Sequence, residues 1–188
     1  MKSGIGTTVL VLLLIGAVSP AMAASKAEKA EQKRQKIDAM AADVLSELFD
    51  KRPNSKELYS KAYGYAVFDN LKLSLMFAGG RGGGVAIEKD SGKRTYMKMN
   101  TFGLNIGLGI QKMDVIFLFQ NKKTFDRFVN KGWEVDASAN AAIAKSGTNV
   151  DANFVNGMAV YQFTDKGLML QADISGTKYR KNKKLNNN

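Results

Sequence analysis

Five of the six residues at 79–84, GGRGGG, are glycine, and this run limits the fold more than any other stretch. Glycine weakens helix and strand interiors, and persists in a strand where the backbone bends sharply or approaches another backbone closely. A phosphate-cradling loop needs G-x-x-x-x-G-K-S/T, or G-x-G-x-x-G between a strand and a helix, and neither spacing is met. The run leads instead into Val85-Ala86-Ile87 and then the turn Asp90-Ser91-Gly92-Lys93, a strand closing in a hairpin. A second strand, 104–111, alternates Leu104, Ile106, Leu108 and Ile110 with Asn105, Gly107, Gly109 and Gln111. Two glycine-rich strands predict a tightly curled sheet, with Gly79, Gly82, Gly84, Gly103 and Gly107 as structural positions. Arg81 either meets an anionic group from that bare patch or covers it with its stem.

The flanking patterns give the rest of the architecture. Ile37, Met40, Ala41, Val44, Leu45, Leu48 and Phe49 recur at helical spacing, and Pro53 ends that helix. Its apolar stripe packs on the domain or lies in a membrane interface; core packing is the commoner fate. Asn54 with Glu57 spells a capping box for a short second helix. Residues 65–68 read as a strand with a turn at Asp69-Asn70, and 115–119, apolar on both sides, as a central strand. Phe125, Phe128 and Val129 share one side of a third helix closed by Gly132. Residues 133–144 alternate, 159–163 and 168–174 read as two more strands, and 178–188 read as disordered. The expected class is α+β: N-terminal amphipathic helices, then a strongly curved, glycine-rich, mostly antiparallel sheet with one further helix.

Composition removes whole classes of chemistry. With no cysteine and no histidine, disulfides, thiolate metal sites and the usual nucleophile pairs and zinc ligands are absent. The carboxylates show no acid–base or calcium-loop spacing, and Ser175 with Lys178 matches S-x-x-K by chance, without its companion motifs. No enzyme activity, metal or cofactor is expected. A positive start at Lys2, an apolar run over 9–17 and Ala21-Met22-Ala23 read as a secretory signal cut after Ala23. The net charge is +11, but it sits at the ends. Residues 24–36 carry five cations against Glu28 and Glu31, and residues 176–188 carry five against none. Such ends suit an anionic lipid surface or simply keep the chain soluble, and they do not resemble the basic stripe of a nucleic-acid reader. The domains expected are 1–23, signal; 24–52, basic segment and amphipathic helix; 53–177, globular domain; 178–188, tail.

Several blocks together resemble the SYLF family, the Ysc-type actin-binding or lipid-binding domain. They are Ala66-Val67-Phe68, Gly79-x-x-Gly82-x-Gly84-Val85, Gly103-x-Asn105-x-Gly107, Asp114-Val115, the alanines of 137–144, Tyr161 to Lys166-Gly167-Leu168, and Ile174-Ser175-Gly176. The resemblance covers roughly 35–180; it departs at Tyr96-Met97-Lys98, at Gly109 and Gln111, and in lacking a closing Tyr-Tyr-Gly. It implies membrane-lipid binding, phosphoinositides in eukaryotic members, and actin in some. The layout resembles exported bacterial members, for which actin is not expected as a partner. The expectation is an exported protein on anionic phospholipid, periplasmic or extracellular, with Lys72, Arg81, Lys178, Arg180, Lys181, Lys183 and Lys184 as lipid contacts. The alternative is a protein-interaction module of the cell envelope.

Overall fold

The computed structural model describes residues 20–69, 82–101, 113–134, 153–164, 167–169 and 177–187. The strand expected at 104–111, the alternating stretch beyond Glu134, and Lys72, Gly79, Arg81, Gly103 and Gly107 lie outside the described residues. In chain order the elements are α1 (Pro20–Lys51), α2 (Ser55–Lys61), β1 (Gly64–Asp69), β2 (Gly82–Glu88), β3 (Arg94–Thr101) and β4 (Met113–Phe119). They continue with α3 (Lys122–Lys131), β5 (Trp133–Glu134), β6 (Met158–Thr164), β7 (Gly167–Met169), β8 (Thr177–Lys181) and α4 (Lys183–Asn186). The strands form one sheet in the order β5-β8-β3-β2-β1-β4-β6-β7, and every pairing is antiparallel.

The sheet is curled, as its aromatic contacts require. β8 and β4 stand four places apart, about 19 Å in a flat sheet. Yet the rings of Tyr179 and Phe117 lie 5.0 Å apart, and Trp133 on β5 reaches Phe117 at 5.3 Å. The concave face holds Phe68, Met97, Met99, Phe117, Phe119 and Tyr179, and α3 is laid across it with Phe125, Phe128 and Val129. α1 and α2 cover the other face, where Ile37, Met40, Val44 and Leu48 meet Val67, Val85, Ile116 and Tyr161. The apolar stripe of α1 is therefore core.

Gly84 shows why a strand here tolerates no side chain. A β-carbon on it would stand 2.0 Å from the Val67 carbonyl oxygen and 2.6 Å from the Phe68 ring. The hairpin falls where expected, with Gly92 at φ +66° and Glu88 N–H donating to the Lys93 carbonyl at 3.0 Å.

α1 continues N-terminally of the stripe through residues 25–36, which are rich in Ala, Glu, Lys and Gln, strong helix formers. Three expectations change. The capping box does not form: Asn54 is itself helical, at φ −64° and ψ −19°, and its side chain caps nothing. Ser55 instead ties the turn, its hydroxyl donating to the Arg52 carbonyl at 2.6 Å, while Glu57 pairs with Lys61. Asp69 is the fully buried last residue of β1, not an exposed turn residue. The tail is ordered as β8 and α4, because Tyr179 is buried among aromatic rings and Leu185 enters the core beside α1.

Candidate functional site

Five of the predicted site residues, Lys178, Arg180, Lys181, Lys183 and Lys184, are described, and they share one scaffold. β8 pairs with β3 over Thr177–Lys181, so alternate residues divide: Tyr179 points into the aromatic core while Lys178 and Arg180 face the other way. Burial pushes the Tyr179 phenol far above its ordinary value, so it stays neutral as a pillar beneath the cations. After Lys181 the chain turns into α4 and is fastened by three devices. Leu185 is buried, and Asn186 receives the Tyr96 N–H at 3.0 Å while its amide donates to the Tyr96 carbonyl at 2.7 Å. Arg34 donates from α1 to the Leu185 carbonyl at 3.3 Å. Lys181, Lys183 and Lys184 are thereby held exposed beside α1.

This contact joins two basic segments that lie at opposite ends of the chain. On α1, Lys26, Lys29 and Lys33 are spaced three, four and seven apart, on the stripe that also carries Ala30 and Ile37. Ala30 and Ile37 pack in the same core as Leu185. The two basic segments therefore form one neighbourhood.

Several of the remaining described cations are committed. Lys51 pairs with Glu47, Lys61 with Glu57 and Lys122 with Asp126, each at 2.6 Å, while Arg94 reaches Asp38 at 3.5 Å. Lys89 donates to the carbonyls of Tyr59, Ser60 and Ala62 at the end of α2, at 2.8, 3.0 and 3.1 Å. Among the described residues, Arg180, Lys181, Lys183 and Lys184 have no carboxylate within ion-pair distance.

Beside β8 the surface is indented. A cleft of about 320 Å³ is lined by Lys131, Gly132, Trp133, Lys178, Tyr179 and Arg180. Gly132, at φ +75°, lets the chain leave α3 and press against β8; a β-carbon there would sit 2.6 Å from the Tyr179 carbonyl. Lys131 and Trp133 do not stand out as site residues in the sequence, because their neighbourhood to β8 arises only from the β5–β8 pairing.

Two features add to the electrostatics. Asp38 accepts from the Tyr96 hydroxyl at 3.0 Å, and burial raises its carboxyl above the usual range against the lowering by Tyr96 and Arg94. Asp69 and Asp114 are directly opposite in the β1–β4 register and both fully buried, a pair the sequence does not announce. Among the described residues no group of three metal-ligating side chains occurs, and no helix is long and apolar enough to cross a membrane.

Comparison with known proteins places this geometry. The family model described as Las17-binding protein actin regulator, Ysc84, matches residues 100–188. Beta cell expansion factor A of Aeromonas veronii is 45% identical over 143 residues, which is 76% of this chain and 55% of that protein. The chain thus aligns with little more than half the length of that relative.

Proposed function

Residues 100–188 belong to the Ysc84 (SYLF) family, whose members are lipid- and actin-binding modules, and from that premise we propose that the protein docks on anionic membrane lipid and catalyses no reaction. The observation that carries the reading is the allocation of cations. Lys51, Lys61, Lys89, Arg94 and Lys122 in the middle of the chain are engaged within the fold, while Arg180, Lys181, Lys183 and Lys184 stand exposed on an ordered scaffold beside the basic half of α1. A cation near an anionic surface contributes about 1 kcal/mol, so several on one face give useful affinity where scattered ones do not. The stripe of α1 is engaged in the core, so docking rests on charge, with the fold intact.

The apolar run at 9–17 and Ala21-Met22-Ala23 support export with cleavage after Ala23. The membrane is then one of the cell envelope, met from the periplasmic or extracellular side, and actin is not the partner. A secreted species whose N-terminal residue is Ala24 tests the export.

Sedimentation with neutral phosphatidylcholine vesicles, against vesicles that also contain phosphatidylglycerol, tests the docking at low and high salt. Binding confined to anionic vesicles and weakened by salt is expected. Absence of binding to both rejects the lipid reading and directs the search to an envelope protein partner.

A further inference from the structure

We propose that the outward ridge of α1 pairs antiparallel with the same ridge of a second copy of this chain, giving a symmetric dimer held by charge. Every seventh residue from Lys29 reads Lys29, Lys36, Asp43, Asp50, and all four are exposed. A seven-residue step drifts by only about 20° around a helix, so the four form one ridge. It is turned away from the stripe of Ile37, Met40, Val44 and Leu48 that enters the core. Between the charges the ridge carries Gln32, Ala39 and Ser46, also exposed. At 1.5 Å per residue it is about 32 Å long. Among the described residues neither the two lysines nor the two aspartates have an ion-pair partner within the chain.

The order of the charges selects the partner. Residues 24–36 carry five cations against two carboxylates, whereas 37–50 carry four carboxylates and no cation. Within a single helix this order opposes the macrodipole, which favours acids at the start and bases at the end. It also stacks like charges one turn apart, Lys29 with Lys33 and Asp43 with Glu47. Anionic lipid suits the basic half and repels the acidic half, so it accounts for only half of the pattern. A second copy accounts for all of it. Lys29 and Asp50 share their midpoint along the helix with Lys36 and Asp43, level with Ala39. An antiparallel copy centred there sets Lys29 against Asp50 and Lys36 against Asp43, each contact occurring twice by symmetry. The small side chain of Ala39 at the axis lets the two backbones approach, and the two macrodipoles run in opposition. A parallel copy would set like charge against like.

Exposed ion pairs are individually weak, so the dimer should be weak and sensitive to salt. In analytical ultracentrifugation at low salt the full chain should shift from monomer to dimer as its concentration rises towards about 1 mM, and about 1 M salt should abolish the shift. Lys29→Glu with Lys36→Glu makes the ridge wholly acidic, and Asp43→Lys with Asp50→Lys makes it wholly basic. Each double variant should weaken self-association on the order of 100-fold, at about threefold for each of four contacts. Mixed together, the two should form a heterodimer at concentrations where neither pairs alone. The chain carrying all four reversals should regain the homodimer, because complementarity is restored. All four positions are exposed, so the far-ultraviolet circular dichroism of every variant should match the wild type. A wild-type chain that stays monomeric at low salt overturns the pairing. So does a dimer that both double variants retain, or a mixture of the two that stays monomeric.

Discussion

Gly84 lies in a strand and Gly92 in the hairpin turn, and the fold asks different things of them. At Gly84 the obstruction is backbone, the Val67 carbonyl oxygen 2.0 Å from where a β-carbon would stand, so β1 and β2 must part to admit a methyl group. Gly84→Ala should cost about 3 kcal/mol or more in denaturant unfolding. At Gly92 nothing lies within 4 Å, and only φ +66° opposes a side chain, so Gly92→Ala should cost about 1–2 kcal/mol. Equal losses at the two sites would show that crowding at β1–β2 is not what holds Gly84. Asp38 carries a second residue-scale prediction. Its folded carboxyl binds a proton more tightly than the usual value near 3.9, because burial disfavours the charged form. The folded state then holds more protons than the unfolded one between the two pKa values, so stability falls as pH rises from about 4 through the raised value. Asp38→Asn keeps an acceptor for the Tyr96 hydroxyl and removes the titration. Its stability should be flatter over that window; an unchanged slope would assign the pH dependence to another group.

The tail is the element where sequence and structure part. Helical spacing of the apolar residues finds α3, and short continuous apolar runs find β1 and β4. The glycine run and the hairpin at Gly92 are equally readable, since both depend on local backbone chemistry. Tyr179 and Leu185 are six residues apart in a run of cations and asparagines, which matches neither period. What orders them is distant: Phe68 and Phe117 around Tyr179, Arg34 and Tyr96 around α4. The cleft is hidden for the same reason, since Lys131 and Arg180 come to line it only through the β5–β8 pairing. Deleting the tail is therefore a poor test of its charge, because a strand and the Tyr179 pillar would go with it. Leu185→Ala should by itself cost about 2–5 kcal/mol, read by denaturant unfolding, as for other buried leucines. Lys181, Lys183 and Lys184 replaced together by Gln should instead leave stability within about 1 kcal/mol, because all three are exposed. A large loss in the triple variant would mean that these lysines hold the fold and not a partner.

At the scale of the molecule, the fold converts two remote basic segments into one surface, and a flat membrane distinguishes that arrangement from two separate arms. Exposed charges act together when they lie within about 10 Å of the same plane, the screening length near 0.1 M salt. Arg34 on Leu185, and Ala30 and Ile37 in the core that receives Leu185, put the α1 stripe and α4 within such reach of each other. Two sets of three substitutions separate the cases: Lys26, Lys29 and Lys33 to Gln, and Lys181, Lys183 and Lys184 to Gln. On one face, each set should weaken binding to anionic vesicles by about 3 kcal/mol, on the order of 100-fold, and lower the salt dependence. The combined variant should bind no better than to neutral vesicles. On opposite faces a rigid molecule presents only one set at a time, so the less favoured set would be silent in the wild-type background. That set would matter only after the other is removed. Loss from both single sets, with a further loss on combination, therefore requires the docked geometry of α1 and α4 and not merely a high net charge.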